Sequence, residues 1–232
     1  MIKRLLILLT IFVWSLIAMA QPEAPDTKQK FAEAQKENAA AMHHFTWKSK
    51  TELKLKGESK KVKVEQVRYG ADGQLQKITL EESSPPPAEK KGGRRSGRIK
   101  QKVIENKKEE FADLMQQLVV VAQSYGHIPP AQMQAFLKNA QFSMGKDRYE
   151  GTIQITGTGA LNPADSMNIW IDKQTMMMRR IEISTVLDKK PVQMTSEYIQ
   201  MTKGPSFQSR ATLEYPEKQI QVTVENFDQR QL

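Results

Sequence analysis

Two stretches near the end of the chain alternate strictly: Phe207, Ser209, Ala211 and Leu213 against Gln208, Arg210, Thr212 and Glu214, then Ile220, Val222 and Val224 against Gln221, Thr223 and Glu225. Side chains that alternate apolar and polar lie on opposite faces of an extended strand, so this period of two marks a sheet with one dry and one wet side. Between the two stretches stands Pro216-Glu217, and connections this short join antiparallel neighbours. The same reading extends back over Tyr149 to Ile155, Met167 to Ile171, Met176 to Val186 and Val192 to Met201, separated by Asp172-Lys173, Asp188-Lys189-Lys190 and Gly204-Pro205.

The N-terminal part begins the same sheet. Phe45, Trp47, Leu53 and Leu55 fall on one face while Lys48, Lys50, Glu52 and Lys54 fall on the other. Val62 and Val64 are out of phase with Val67 and Tyr69, which places a bulge near Glu65 and Gln66, and Asp72-Gly73 turns the chain into a third strand, Leu75 to Glu81. Three helices complete the pattern. Asp26 with Gln29 is a capping box for a helix reaching Met42. Ile104, Phe111, Met115, Leu118, Ala122 and Tyr125 form one stripe of a second, stopped by Gly126, and Met133, Phe136, Leu137 and Ala140 the apolar side of a third that starts at Pro129-Pro130. About nine strands and three helices sharing one core predict an α+β fold: a strongly curved antiparallel sheet, a half-barrel, with the helices covering its concave apolar face.

At the N-terminus, Lys3 and Arg4, the apolar run Leu5 to Ala18 and Ala18-Met19-Ala20 read as a cleaved signal peptide over residues 1–20, with an uncleaved anchor as the alternative. The apolar run is short for a membrane span, which wants about 20 apolar residues. The expectation is a periplasmic protein whose 21–232 form a single domain. The sequence has no cysteine, so disulfides, thiol catalysis and thiolate metal sites are excluded and packing alone must hold the fold.

The net charge of +9 suggests nucleic acid until it is located. Residues 85–102 hold +6 of it and the first twenty residues +2, leaving +1 for the body. Nucleic-acid binding is therefore not expected. Residues 83–98, with Pro85-Pro86-Pro87, Gly92-Gly93 and Lys90, Lys91, Arg94, Arg95 and Arg98, read as a basic loop that buries too little apolar surface to order itself; a helical insert follows at 99–140. The loop is either a solvated linker or a contact for an anionic membrane surface, where each basic residue contributes about 1 kcal/mol.

Catalytic patterns are absent from this reading. No Ser sits in a G-x-S-x-G elbow, and Gly157-Thr158-Gly159 lacks the third glycine of a dinucleotide fingerprint and reads as a turn. His43-His44 and His127 make a poor chelate because neighbouring residues diverge, and Met176-Met177-Met178 reads chiefly as core packing, with a copper site as the alternative. Neither an enzyme nor a cofactor or metal is expected.

The segment Met167-Asn168-Ile169-Trp170-Ile171-Asp172, followed by Arg179-Arg180-Ile181-Glu182-Ile183, Thr195-Ser196-Glu197-Tyr198 and Thr223-Val224-Glu225-Asn226, resembles the W-I-D, turn, R-x-E-I hairpin and following strands of the LolA-like superfamily of periplasmic lipoprotein carriers. The order of elements over the mature chain resembles that group as well. The resemblance implies an open half-barrel whose concave face, under a helical lid, holds a lipid or lipoprotein acyl chain without covalent attachment, in a protein that works as a monomer. The face expected to line it comprises Trp47, Leu53, Ile169, Ile181, Ile183, Phe207, Leu213, Val222 and Val224. Those residues suit a simple packed core equally well, which keeps open a closed envelope domain acting by protein contact without a ligand. A hydrolase assembled from distant residues is a third possibility.

Overall fold

A computed structural model describes residues 24–83, 97–126, 128, 130–202 and 204–232. The expected signal peptide and the core of the basic loop, including Lys90, Lys91, Arg94 and Arg95, lie outside the described residues, as does His127. Among the described residues no helix is long and apolar enough to cross a membrane.

The chain forms helix α1 (Ala24–Met42), strands β1 (Phe45–Leu55), β2 (Glu58–Tyr69) and β3 (Leu75–Ser83), helices α2 (Gly97–Gly126) and α3 (Pro130–Asn139), then β4 (Gln141–Met144), β5 (Thr152–Thr158), β6 (Ser166–Asp172), β7 (Met178–Leu187), β8 (Lys190–Gln200), β9 (Ser206–Tyr215) and β10 (Ile220–Gln231). Ten strands make one antiparallel sheet in the order β3-β2-β1-β10-β9-β8-β7-β6-β5-β4. The sheet is open, because β3 and β4 end it without meeting. The first three strands join the rest through β1 and β10, the first strand and the last, so α2 and α3 leave from one edge and return at the other.

The α+β class and the curved open sheet match the expectation, with one strand more. β4 was not anticipated: its four residues, Gln141 to Met144, are too few to show a period. The expected strand from Tyr149 starts instead at Thr152, behind a short 3-10 turn, and Gly157 lies inside β5 and not in a turn. Asp26 falls within the first turn of α1 and pairs with Lys30 at 2.7 Å, so no capping box forms around it.

Bulges decide which way side chains point. In the β2–β3 ladder the register shifts between Val64 and Glu65, but the extra residue is Leu80 of β3 and not one of β2. Val62 and Val64 stand opposite Glu52 and Lys50 on the outer face, whereas Val67 stands opposite Trp47 on the inner one. In β9 the extra residue is Ser209: Arg210 pairs with Glu197 and Gln208 with Tyr198. A single inserted residue reverses the facing of everything beyond it.

Candidate functional site

Directly opposed residues of antiparallel strands share a face, so the ladder registers assemble the inner surface row by row. One row runs Leu53, Val222, Leu213, Met194, Ile183, Met167 and Gly157 across seven strands. The next runs Thr51, Val224, Ala211, Ser196, Ile181, Ile169, Ile155 and Phe142. Seven of the nine residues expected on the apolar face therefore lie in these two adjacent rows.

The other two do not. Phe207 is opposite Ile199 on the outer face, because the Ser209 bulge reverses the start of β9 after the alternation from Leu213 had placed it inside. Trp47 faces inward but stands apart from the main apolar cluster, packed beside Val67 and against the Tyr69 ring at 5.8 Å. Between Trp47 and the apolar rows runs a polar band that no local sequence pattern announces. Ser49 pairs with Glu65 and with Asn226, Asn226 donates to the Gln208 carbonyl at 2.8 Å, and Gln208 donates to Ser196 at 2.9 Å. Glu65 is buried and held by Lys63 at 2.6 Å, and burial pushes the Tyr198 phenol above its ordinary pKa.

The helices cover the two apolar rows unevenly. Leu118 and Tyr125 of α2 and Phe136 and Leu137 of α3 form one cluster with Ile153, Ile155, Met167, Ile169, Ile171 and Val192, all essentially without solvent contact on the strands. Phe136 lies so close to β5 that a methyl group on Gly157 would sit 2.6 Å from its ring; glycine permits that approach. At the other end of the same rows Leu53, Val222 and Val224 are only half-buried, as is Leu55 in the next row, opposite the buried Ile220.

Two polar anchors hold the cover. The Tyr125 hydroxyl donates to Thr185 at 3.0 Å, Thr185 donates to the buried Asp165 carboxylate at 2.6 Å, and the amides of Leu161 and Asn162 donate to the same carboxylate. Burial alone would raise the Asp165 pKa, but these donors outweigh it and hold the carboxyl below its ordinary value; burial and the neighbouring carboxylate push Tyr125 up to about 12. The carboxylate is saturated with donors, which suits a latch and not a general base. At the opposite rim, α1 is tied by Asn38, whose side chain both donates to the Ser206 carbonyl at 2.8 Å and accepts from its amide at 2.6 Å, and by Gln35, which donates to Met176.

Beside α1 a groove of about 410 Å³ is lined by Ala41, His44, Phe45, Met177, Pro205 and Gln231, among others. The methionine run divides accordingly: Met176 and Met178 pack on the core, and Met177 lines the groove. His43 and His44 also part, His43 stacking on Tyr69 at 4.3 Å. Among the described residues no three of His, Cys, Asp and Glu are placed to hold a metal ion. Of the residues expected at a membrane, only Arg98 is within a described element, in the first turn of α2.

No protein-family model matches the chain, and no curated protein matches it. Among solved structures it is similar to a LolA superfamily protein from Nitrosomonas europaea, at 12% identity over 88% of this chain and 93% of that one, with a TM-score of 0.42. It is also similar to a DUF1329 family protein from Desulfovibrio piger, at 9% identity over 88% and 92%, with a TM-score of 0.43. A domain from Vibrio parahaemolyticus described as an outer membrane lipoprotein-sorting protein is similar at 11% identity over 88% and 93%, with a TM-score of 0.36.

Proposed function

We propose that this protein is a non-enzymatic carrier or sensor of the periplasm that binds an acyl chain of a lipid or lipoprotein on the inner face of its sheet. The observation that supports this reading is that Leu53 and Val222 continue the buried apolar row of Leu213, Met194, Ile183 and Met167 yet stay only half-buried, with Val224 beside them in the same state. A hydrocarbon chain laid there removes apolar surface from water at about 0.8 kcal/mol per methylene. Ala211 and Ser196, the small residues of the second row, stand opposite each other and add little side-chain volume to the middle of that face. Lys90, Lys91, Arg94, Arg95 and Arg98 supply a basic contact for an anionic membrane, and the protein works as a monomer.

The packed half of the same face favours a second reading, a closed domain that acts by protein contact with no ligand. Ala211→Phe separates the two. Over an open space the added ring is tolerated and occupies the acyl site; in a filled core it costs about 1–3 kcal/mol of stability. Native mass spectrometry of the delipidated mature chain after exposure to membrane extract, with displacement of a fluorescent fatty acid, reads the binding directly. Retention of an acyl ligand that Ala211→Phe abolishes at unchanged stability is expected. No acyl ligand and no displacement would leave the closed domain as the reading that stands.

A further inference from the structure

The outer face changes character toward the rim that α1 crosses. In its middle, Arg180, Glu197, Arg210, Glu225 and Lys50 stand opposite one another across five strands, and with Glu182 bonded to Arg180 three cations meet three carboxylates. Nearer the rim the neutral balance is lost. Arg68, Arg230 and Lys48 line one shallow groove of about 370 Å³ with a single carboxylate, Asp228, which holds Lys48 at 2.9 Å and Arg230 at 3.0 Å. Arg68 bonds only the neutral Gln76 within this groove, at 3.1 Å.

Large apolar side chains project along the same rim: Ile78 in that groove is 61% exposed, Phe227 opposite Lys48 43%, and Ile199 on β8 54%. They do not belong to one pocket. Ile78 is on β3 and Ile199 on β8, five strand spacings apart in the sheet order, or about 24 Å. Each lies within four residues of the strand end at the same rim, as do Arg68 and Arg230. A broad, shallow band of exposed aliphatic and aromatic groups interleaved with surplus arginine is wider than one extended peptide covers. It is the chemistry that partitions into the interface of a lipid surface bearing negative headgroups.

We propose that this rim of the outer face docks the protein on an anionic phospholipid surface. Docking there sets the α1 groove beside the bilayer, and it stands whether or not the inner rows carry a ligand. The basic segment after β3 would bind such a surface through charge alone, so the test uses the mature chain with Lys90, Lys91, Arg94, Arg95 and Arg98 all changed to Gln. This protein is sedimented with vesicles of phosphatidylcholine alone or mixed with phosphatidylglycerol. Binding to the mixed vesicles that weakens with salt is expected, with partition lowered at least about tenfold by Arg68→Glu combined with Arg230→Glu. Ile78→Ser combined with Phe227→Ser is expected to lower it about tenfold at unchanged charge. All four substitutions are at exposed positions, and unchanged circular dichroism confirms that the variants fold. The proposal is overturned by absence of vesicle binding, by equal binding to phosphatidylcholine alone, or by partition indifferent to either pair. It is equally overturned if ultracentrifugation without lipid shows self-association that Ile78→Ser abolishes, since the band would then join two copies of the chain.

Discussion

Gly157→Ala measures how tightly α3 is seated on the sheet, and its sign is decided by two opposed effects. Gly157 adopts a backbone conformation open to any L residue, so alanine restricts the unfolded chain and by itself stabilises by about 0.4–1 kcal/mol. Against this, the new methyl would stand 2.6 Å from Cε2 of Phe136 and 3.2 Å from its Cδ2 and Cζ, where carbon atoms prefer about 3.5–4.0 Å. The ring is buried at 2% exposure among Leu118, Leu137 and Ile155 and has nowhere to swing. Overpacking of this kind costs about 1–3 kcal/mol, which leaves a net loss of about 1–2 kcal/mol, or about 2–8 °C in Tm for a chain of this size. Phe136→Ala alone costs about 3–5 kcal/mol. In that background the clash is gone, and Gly157→Ala becomes neutral or stabilising, so urea unfolding of the four proteins gives a coupling of about 1.5–3 kcal/mol. A higher midpoint for Gly157→Ala alone, or additivity within about 0.5 kcal/mol, refutes the seating of Phe136 on Gly157.

The Asp165 latch gives a pH signature. Its carboxyl is held below the ordinary value when folded, so the stability it contributes is present above the unfolded pKa of about 3.9 and is lost as pH falls through the folded one. Asp165→Asn is expected to lower stability at neutral pH by about 1–3 kcal/mol and to flatten the acid limb of a pH series of urea midpoints. Tyr125 has the opposite sign: burial raises its pKa from the ordinary phenol value to about 12, so its contribution is complete below the unfolded value and lost as pH rises toward 12, an alkaline limb that Tyr125→Phe removes. Asn38→Ala leaves the Ser206 amide and carbonyl without their partner and is expected to speed hydrogen exchange of α1 selectively, with α2 and α3 unchanged.

The alternation around Leu213, Val222 and Ile169 and the stripe of Phe111, Met115, Leu118 and Tyr125 were legible because each repeats its own period several times within one element. Phe207 faces outward, and the bulge expected near Glu65 and Gln66 lies in β3 instead, for a shared reason: whether a residue is extra, Ser209 in one case and Leu80 in the other, depends on the strand opposite and not on its own neighbours. Gly157 read as a turn because glycine serves both turns and close approaches, and only the distant Phe136 tells which. The polar band from Glu65 through Ser49, Asn226 and Gln208 draws its residues from four strands and leaves no local trace. Asp165 gave a faint one, since Asn162-Pro163 marks a turn whose exposed amides need an acceptor.

The uneven cover of the inner rows bears on function because edge effects do not account for it. Strands at the margin of a sheet lose burial for want of neighbours, so β4, β5 and β6 at one edge should be the more exposed and β1, β10 and β9, in the interior of the order, the less. β4 follows that rule and is exposed, but β5 and β6 do not: Ile155 and Ile171 are sealed while Leu53, Val222 and Val224 remain half-open beside the buried Ile220 and Leu213. The helices, not the sheet, create the difference, since α3 sits on β5 and the latch at Asp165 and Thr185 fixes the end of α2 over β6 and β7. A chain selected only for a closed core would bring that cover over the centre of its sheet, where burial gains most. Leaving the centre thinly roofed forfeits stabilisation of about 25 cal/mol for every square ångström left wet, a loss that a second apolar molecule lying on Leu53, Val222 and Val224 would reverse.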